Sequence, residues 1–119
     1  AEGAVDALRA RGLDVVVVDD NNYIDFVQAQ ILVEGLLADD RYAFDATFAT
    51  TDEMALGAYA AVWAAGGNQI IVGYDATPNA LEAIKDGTLT ASIRQGTSNL
   101  AYGGTIEVVT AENVDYFMQ

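Results

Sequence analysis

Two polar stretches carry the chemistry this chain can do: Thr50-Thr51-Asp52-Glu53 and Tyr74-Asp75-Ala76-Thr77-Pro78. Each follows a short apolar run and precedes a segment with helical periodicity, so each reads as a strand tip that opens a helix. Strand tips of this kind gather at the carboxyl edge of a parallel sheet. Side-chain oxygens and helix amino termini then face one crevice, which is where such sheets bind ligands. Asp75 ends its strand and offers two acceptor oxygens, and Asp19 is a further acidic candidate at an earlier strand tip. The chain has no histidine and no cysteine. That removes the commonest general base, the commonest metal ligand and all thiolate chemistry, and no cofactor or metal is expected.

The stretches around these tips carry a family resemblance. Ala49-Thr50-Thr51-Asp52-Glu53-Met54-Ala55-Leu56-Gly57-Ala58 and Gly73-Tyr74-Asp75-Ala76-Thr77-Pro78 resemble the signature xND-MALGA … GFDGTP-ALxAIxDGxLxATxxQ of ribose-type sugar-binding proteins of bacterial ABC importers. The run Ala80 to Gln95 follows the same signature, and Val108-Val109-Thr110-Ala111-Glu112-Asn113-Val114-Asp115 resembles the family's lVTxENVD ending. Several segments in the right order make this more specific than one short pattern.

The resemblance implies a non-enzymatic lobe that binds a monosaccharide or polyol. A sugar presents hydroxyls that both donate and accept, with apolar patches on its ring faces, so carboxylates, amides and aromatic rings recognise it together. By the match, Asp75 is the first ligand contact, Gln95 the second and Thr51 the third, with Tyr23 near the aromatic that stacks on the ring; Asp19 is a candidate contact from its place at another strand tip alone. Each also has a plainer reading: Asp75 as a turn cap, Gln95 as a solvated loop residue, Thr51 as a helix cap, Asp19 as a solvated loop residue. Thr51 stands where the family has asparagine, a shorter reach that leaves the sugar open. Tyr74, Trp63 and Phe48 read as core or packing residues. The family setting implies an ABC permease partner and a periplasmic or extracellular location.

Composition agrees with a folded single lobe. The chain has 119 residues, 52% of them apolar, and a formal charge of −13. This is one domain's worth of chain, and the acidic surface repels nucleic acid and anionic membranes. The apolar run Met54 to Gly67 is too short to span a bilayer and reads as a buried helix. No signal peptide is evident, and a start at Ala1-Glu2 suggests a processed, cropped or engineered chain.

The elements expected are a helix from Ala4 to Arg11 stopped by Gly12, a strand over Leu13 to Val18, and a helix through Ile24, Val27, Ile31 and Leu36 capped near Asn22. A strand Ala46 to Ala49 follows, then a helix opened by a Thr50/Glu53 capping box and stopped at Gly66-Gly67. After these come a strand Gln69 to Gly73, a helix from Thr77-Pro78 to Gly87, a strand around Leu89 to Ile93 with Thr88, Thr90 and Ser92 on a wetter face, a strand Ile106 to Val109, and a short helix Glu112 to Met118. This order predicts a flavodoxin-like, doubly wound α/β fold, with a mostly parallel sheet of about five strands and helices on both faces, across 1–119.

Two departures from the family are expected to matter. The family's lobe begins with a central strand before the first helix, which is absent here. Only nine residues, Gly96 to Gly104, stand where the family's chain visits the other lobe. An isolated, truncated or engineered lobe is therefore expected, with weak or no binding. Either Ile106 to Val109 fills the central gap or a second copy associates through the unpaired strand edge. The family's arginine falls before Ala1, and Arg94 does not match it.

Two other classes compete. The effector-sensing core of a sugar-responsive repressor shares the fold, but Gly66-Gly67-Asn68-Gln69 lacks that group's proline and acidic residue, and no basic headpiece is present. A receiver-like enzyme would use Asp19, Asp20 and Asp52 as an acidic pocket, yet no matching lysine or phosphate loop accompanies them.

Overall fold

The computed structural model describes residues 2–18, 25–41, 43–95 and 106–119. The elements are α1 (Glu2–Ala10), α2 (Phe26–Leu37), β1 (Ala46–Phe48), α3 (Asp52–Ala64), β2 (Ile70–Tyr74), α4 (Pro78–Asp86), β3 (Ala91–Gln95), β4 (Ile106–Thr110) and α5 (Val114–Phe117). The α/β class and the mostly parallel sheet are as expected. The strand order is β1-β2-β3-β4, with β1, β2 and β3 parallel and β4 antiparallel to β3.

Local sequence fixes the ends of these elements. Gly12, Gly66 and Gly87 all adopt positive φ just past a helix, the left-handed stop that a Cβ would penalise. Thr77 caps α4 through the Ala80 N–H, and Pro78 fills the first turn. α3 is capped by Thr51, whose hydroxyl accepts from Met54 N–H, one residue later than the expected Thr50 box. α2 starts from an Asp25/Gln28 capping box rather than near Asn22, which lies outside the described residues.

The core lies on one side of the sheet. Ile71 and Val109 of the strands pack with Val33 of α2, Ala55, Ala58, Ala61 and Val62 of α3, Ala80, Ala83 and Ile84 of α4, and Val114 of α5. Full burial of a side chain such as Ile71 or Ile84 stabilises the fold by about 1.5–3 kcal/mol. Strand register places Phe48, Val72, Ile93 and Val108 on the opposite face, where Phe48 and Val108 are 38% and 52% exposed.

The expected strand over Leu13 to Val18 does not form. Those residues follow the turn after α1 without strand structure, and Val16 is 66% exposed. A strand needs a hydrogen-bonded neighbour. Among the described residues no strand pairs with this segment. Nor does β4 fill the gap, since it pairs along β3 at the far side and leaves β1 as an edge. α1 makes no substantial packing with any described strand.

Two side-chain expectations also change. Trp63 is 68% exposed at the end of α3, stacked on Tyr59 rather than buried in the core. Ser92, assigned to a wetter face, is fully buried on the helix-covered side.

Candidate functional site

Three parallel strands set the geometry. β1, β2 and β3 run side by side, so their carboxyl ends share one edge, and Thr51, Asp75 and Gln95 all stand at that edge. Thr51 lies just beyond β1 as the cap of α3, Asp75 follows β2 immediately, and Gln95 ends β3. Tyr23 and Asp19, with Asp20, lie outside the described residues. The amino termini of α3 and α4 open at the same edge, because Thr51 and Thr77 cap them there.

Asp52 ties this edge together, a role that the sequence did not disclose. It opens α3 and is only 1% exposed. Its Oδ1 accepts from Ser92 Oγ at 2.7 Å, and its Oδ2 accepts from Thr77 N–H at 2.7 Å. Ser92 Oγ in turn accepts from Ala76 N–H at 2.9 Å. One carboxylate thus links the start of α3, the loop after β2 and the amino-terminal part of β3. Its charge sits at a helix amino terminus, where the backbone dipoles favour it. Gly73 makes the space: a Cβ there would overlap Asp52 Oδ1.

The loop held this way is conformationally unusual. Asp75 and Ala76 have φ of 106° and 53°, a region that side chains disfavour. Three successive backbone N–H groups have protein acceptors: Asp75 donates to Ile93 O at 2.7 Å, Ala76 to Ser92 and Thr77 to Asp52. The Asp75 carboxylate itself has no protein hydrogen bond among the described residues, and the residue is exposed. It therefore does not cap the turn or the helix, and Thr77 does.

The signal for this corner was in the signature, which carries glycine where this chain has Ala76. Ala76→Gly should relieve the left-handed backbone and raise stability by about 0.5–1 kcal/mol, read as a higher urea midpoint with unchanged slope.

Two surface depressions of the molecule lie elsewhere. One, of about 650 Å³, is bounded by Arg9 and Gly12 to Val16, and another, of about 360 Å³, lies between the ends of α2 and α3. Neither is lined by a residue of the polar edge. Among the described residues no acidic cluster has the arrangement to hold a metal ion. No described helix is long and apolar enough to cross a membrane.

Residues 1–109 match the family described as periplasmic binding protein domain. The ribose import binding protein RbsB of Haemophilus influenzae is 35% identical over 113 residues, covering 95% of this chain and 37% of that protein. An ABC transporter solute-binding protein from Bacillus halodurans, solved with bound myo-inositol, superposes with a TM-score of 0.65 at 34% identity over 78% of this chain and 39% of its own. The periplasmic ribose ABC transporter structure from Conexibacter woesei reaches a TM-score of 0.81 over 98% of this chain and 47% of its own, and at 20% identity it shows the fold alone. The chain spans less than half the length of each of these relatives.

Proposed function

Because the chain belongs to the periplasmic binding protein domain family, we propose that it is a non-enzymatic sugar-binding lobe whose rim holds a monosaccharide or similar neutral polyol. One observation carries the reading. The backbone donors of residues 75 to 77 are all taken by protein acceptors, while the Asp75 carboxylate, at the centre of the same corner, is left with both oxygens open. Such a corner asks for a ligand that donates hydroxyl hydrogens. An anion would meet a carboxylate in a corner whose own N–H groups are all taken, on a chain of net charge −13.

The other contacts follow from chemistry. Thr51 Oγ accepts from its helix, and its hydroxyl hydrogen is left to donate to a sugar oxygen. Gln95, one strand away, would add an amide donor and acceptor, Tyr23 an apolar ring face, and Asp19 a further acceptor. The relatives named above, one a ribose import protein and one holding myo-inositol, support this substrate class. Two lobes normally enclose such a ligand, so a single lobe leaves much of it in water and binds weakly. The same reading gives the whole protein a periplasmic or extracellular setting and an ABC permease as partner. It also leaves the free edge of β1 as the place where a second copy would add.

Trp63 sits at the far end of α3, about 20 Å along a helix of this length from the rim, so its fluorescence is a poor reporter. Backbone amide shifts should instead move at residues 51, 74–77 and 95 when a panel of pentoses, hexoses and inositols is titrated in. Asp75→Asn, which tolerates the positive φ, should weaken the strongest of these about tenfold by removing a charged acceptor. If wild type and Asp75→Asn respond identically across the panel, the reading fails.

A further inference from the structure

We propose that Asp52 is the positioning residue of this rim. Its buried carboxylate holds the Asp75–Ala76 corner in positive-φ backbone and so fixes the direction in which Asp75 is offered to a polyol. The inference deepens the sugar-binding reading and rests on it for the ligand, though not for the geometry.

The argument begins with what the corner would do unaided. Asp75 and Ala76 are two consecutive non-glycine residues at positive φ, a pairing that chain sterics oppose. Such backbone persists only where the surroundings over-determine it. The interactions that do so here run from the corner's amides to Asp52: Thr77 N–H reaches Oδ2 directly, and Ala76 N–H reaches Oδ1 through Ser92 Oγ. The Asp75 N–H bond to Ile93 anchors the corner to β3 but does not reach Asp52. No cation pairs with Asp52 in any described salt bridge, and among the described residues its two oxygens act through these two donors.

Asparagine tests the point sharply. Its carbonyl oxygen can still accept from Thr77 N–H, which turns the amide nitrogen toward Ser92 Oγ. That oxygen then receives two N–H donors, from Asn and from Ala76, and its own hydrogen loses its acceptor. The link to Ser92 then survives only with its direction reversed and without the charged acceptor, so the clamp is weakened while size and shape are kept.

In Asp52→Asn of the full chain, the three-bond HN–Hα couplings and Cα and Cβ shifts of Asp75 and Ala76 should move from left-handed toward extended values. Adding Ala76→Gly removes the resistance that the clamp opposes. The double variant should therefore recover more stability than Ala76→Gly adds to wild type, and affinity for the best sugar of the panel, reduced about tenfold by Asp52→Asn, should be partly restored. If Asp52→Asn fails to fold, Ser92→Ala cuts the indirect arm alone and should move the Ala76 signals by itself. Unchanged signals at residues 75 and 76 in a folded Asp52→Asn or Ser92→Ala chain would overturn the proposal, as would strictly additive effects of Asp52→Asn and Ala76→Gly. If no sugar binds even wild type, the substrate reading fails, while the couplings and the stability cycle still decide whether Asp52 sets the corner.

Discussion

Gly73→Ala is expected to cost about 3–5 kcal/mol, enough to unfold a large share of the molecules of a marginally stable domain. Gly73 is buried near the carboxyl end of β2, under the first turn of α3. A methyl group there would overlap Asp52 Oδ1, and it would sit 3.1 Å from Ala55 Cβ and 3.2 Å from Asp52 Cα. Moving the carboxylate away is not a cheap escape, because its oxygens hold Ser92 and Thr77 at 2.7 Å each. The substitution therefore combines overpacking with loss of charged hydrogen bonds, each worth about 1.5–3 kcal/mol. Urea unfolding followed by circular dichroism would show it as a large drop in midpoint. A midpoint within experimental error of wild type would mean that α3 lifts from the sheet without strain and that the clamp is loose. Gly67→Ala, whose Cβ would meet only Val62 and at 3.3 Å, is the control and should change little by comparison.

The local punctuation of this fold was legible in the chain. Gly12, Gly66 and Gly87 stop helices at positive φ, and Thr77-Pro78 opens α4, because these signals act through the residue's own backbone. The parallel order of β1, β2 and β3, and with it the shared edge of Thr51, Asp75 and Gln95, followed from alternating strands and helices. What was not legible depended on distant partners. Leu13 to Val18 has the composition of a buried strand, but composition cannot supply the neighbouring strand that would pair with it. Ser92 alternates with apolar residues and was therefore assigned to the wet face. It is buried because a carboxylate 40 positions earlier accepts its hydroxyl hydrogen.

The same contrast explains the site. Asp75 stood out because a carboxylate at a strand end is chemically conspicuous. Asp52 did not, because an acidic residue in the first turn of a helix is ordinary. Only the fold shows that it faces inward, accepts from two other segments and leaves Asp75 as the free acceptor of the corner. Conspicuous chemistry and hidden hydrogen bonding thus fall on different residues, and under the proposed function a substitution at either would weaken binding for different reasons. Loss at Asp75 should leave the backbone at residues 75 and 76 in place, whereas loss at Asp52 should not.

Gly57→Ala is the second large effect, and it tests the scaffold rather than the rim. Gly57 lies in α3 where α2 crosses it, and its missing side chain lets the two backbones approach closely. An added Cβ would overlap Phe26 O, and it would stand 3.0 Å from Ala29 Cβ and 3.1 Å from Gln30 N. The neighbours are backbone or a bare methyl group, so nothing flexible can give way and the helices must separate. Overlap with a fixed backbone atom puts the overpacking cost at the top of the usual range, about 3 kcal/mol. Alanine's better helix propensity returns about 1 kcal/mol, which leaves a net loss of about 2 kcal/mol. Because α2 meets the rest of the core chiefly through α3, amide exchange should accelerate first along Phe26–Leu37, while β2, β3 and the Asp52 clamp keep their protection. Uniform acceleration over the whole chain would instead show that the α2–α3 contact and the sheet open as a single cooperative unit.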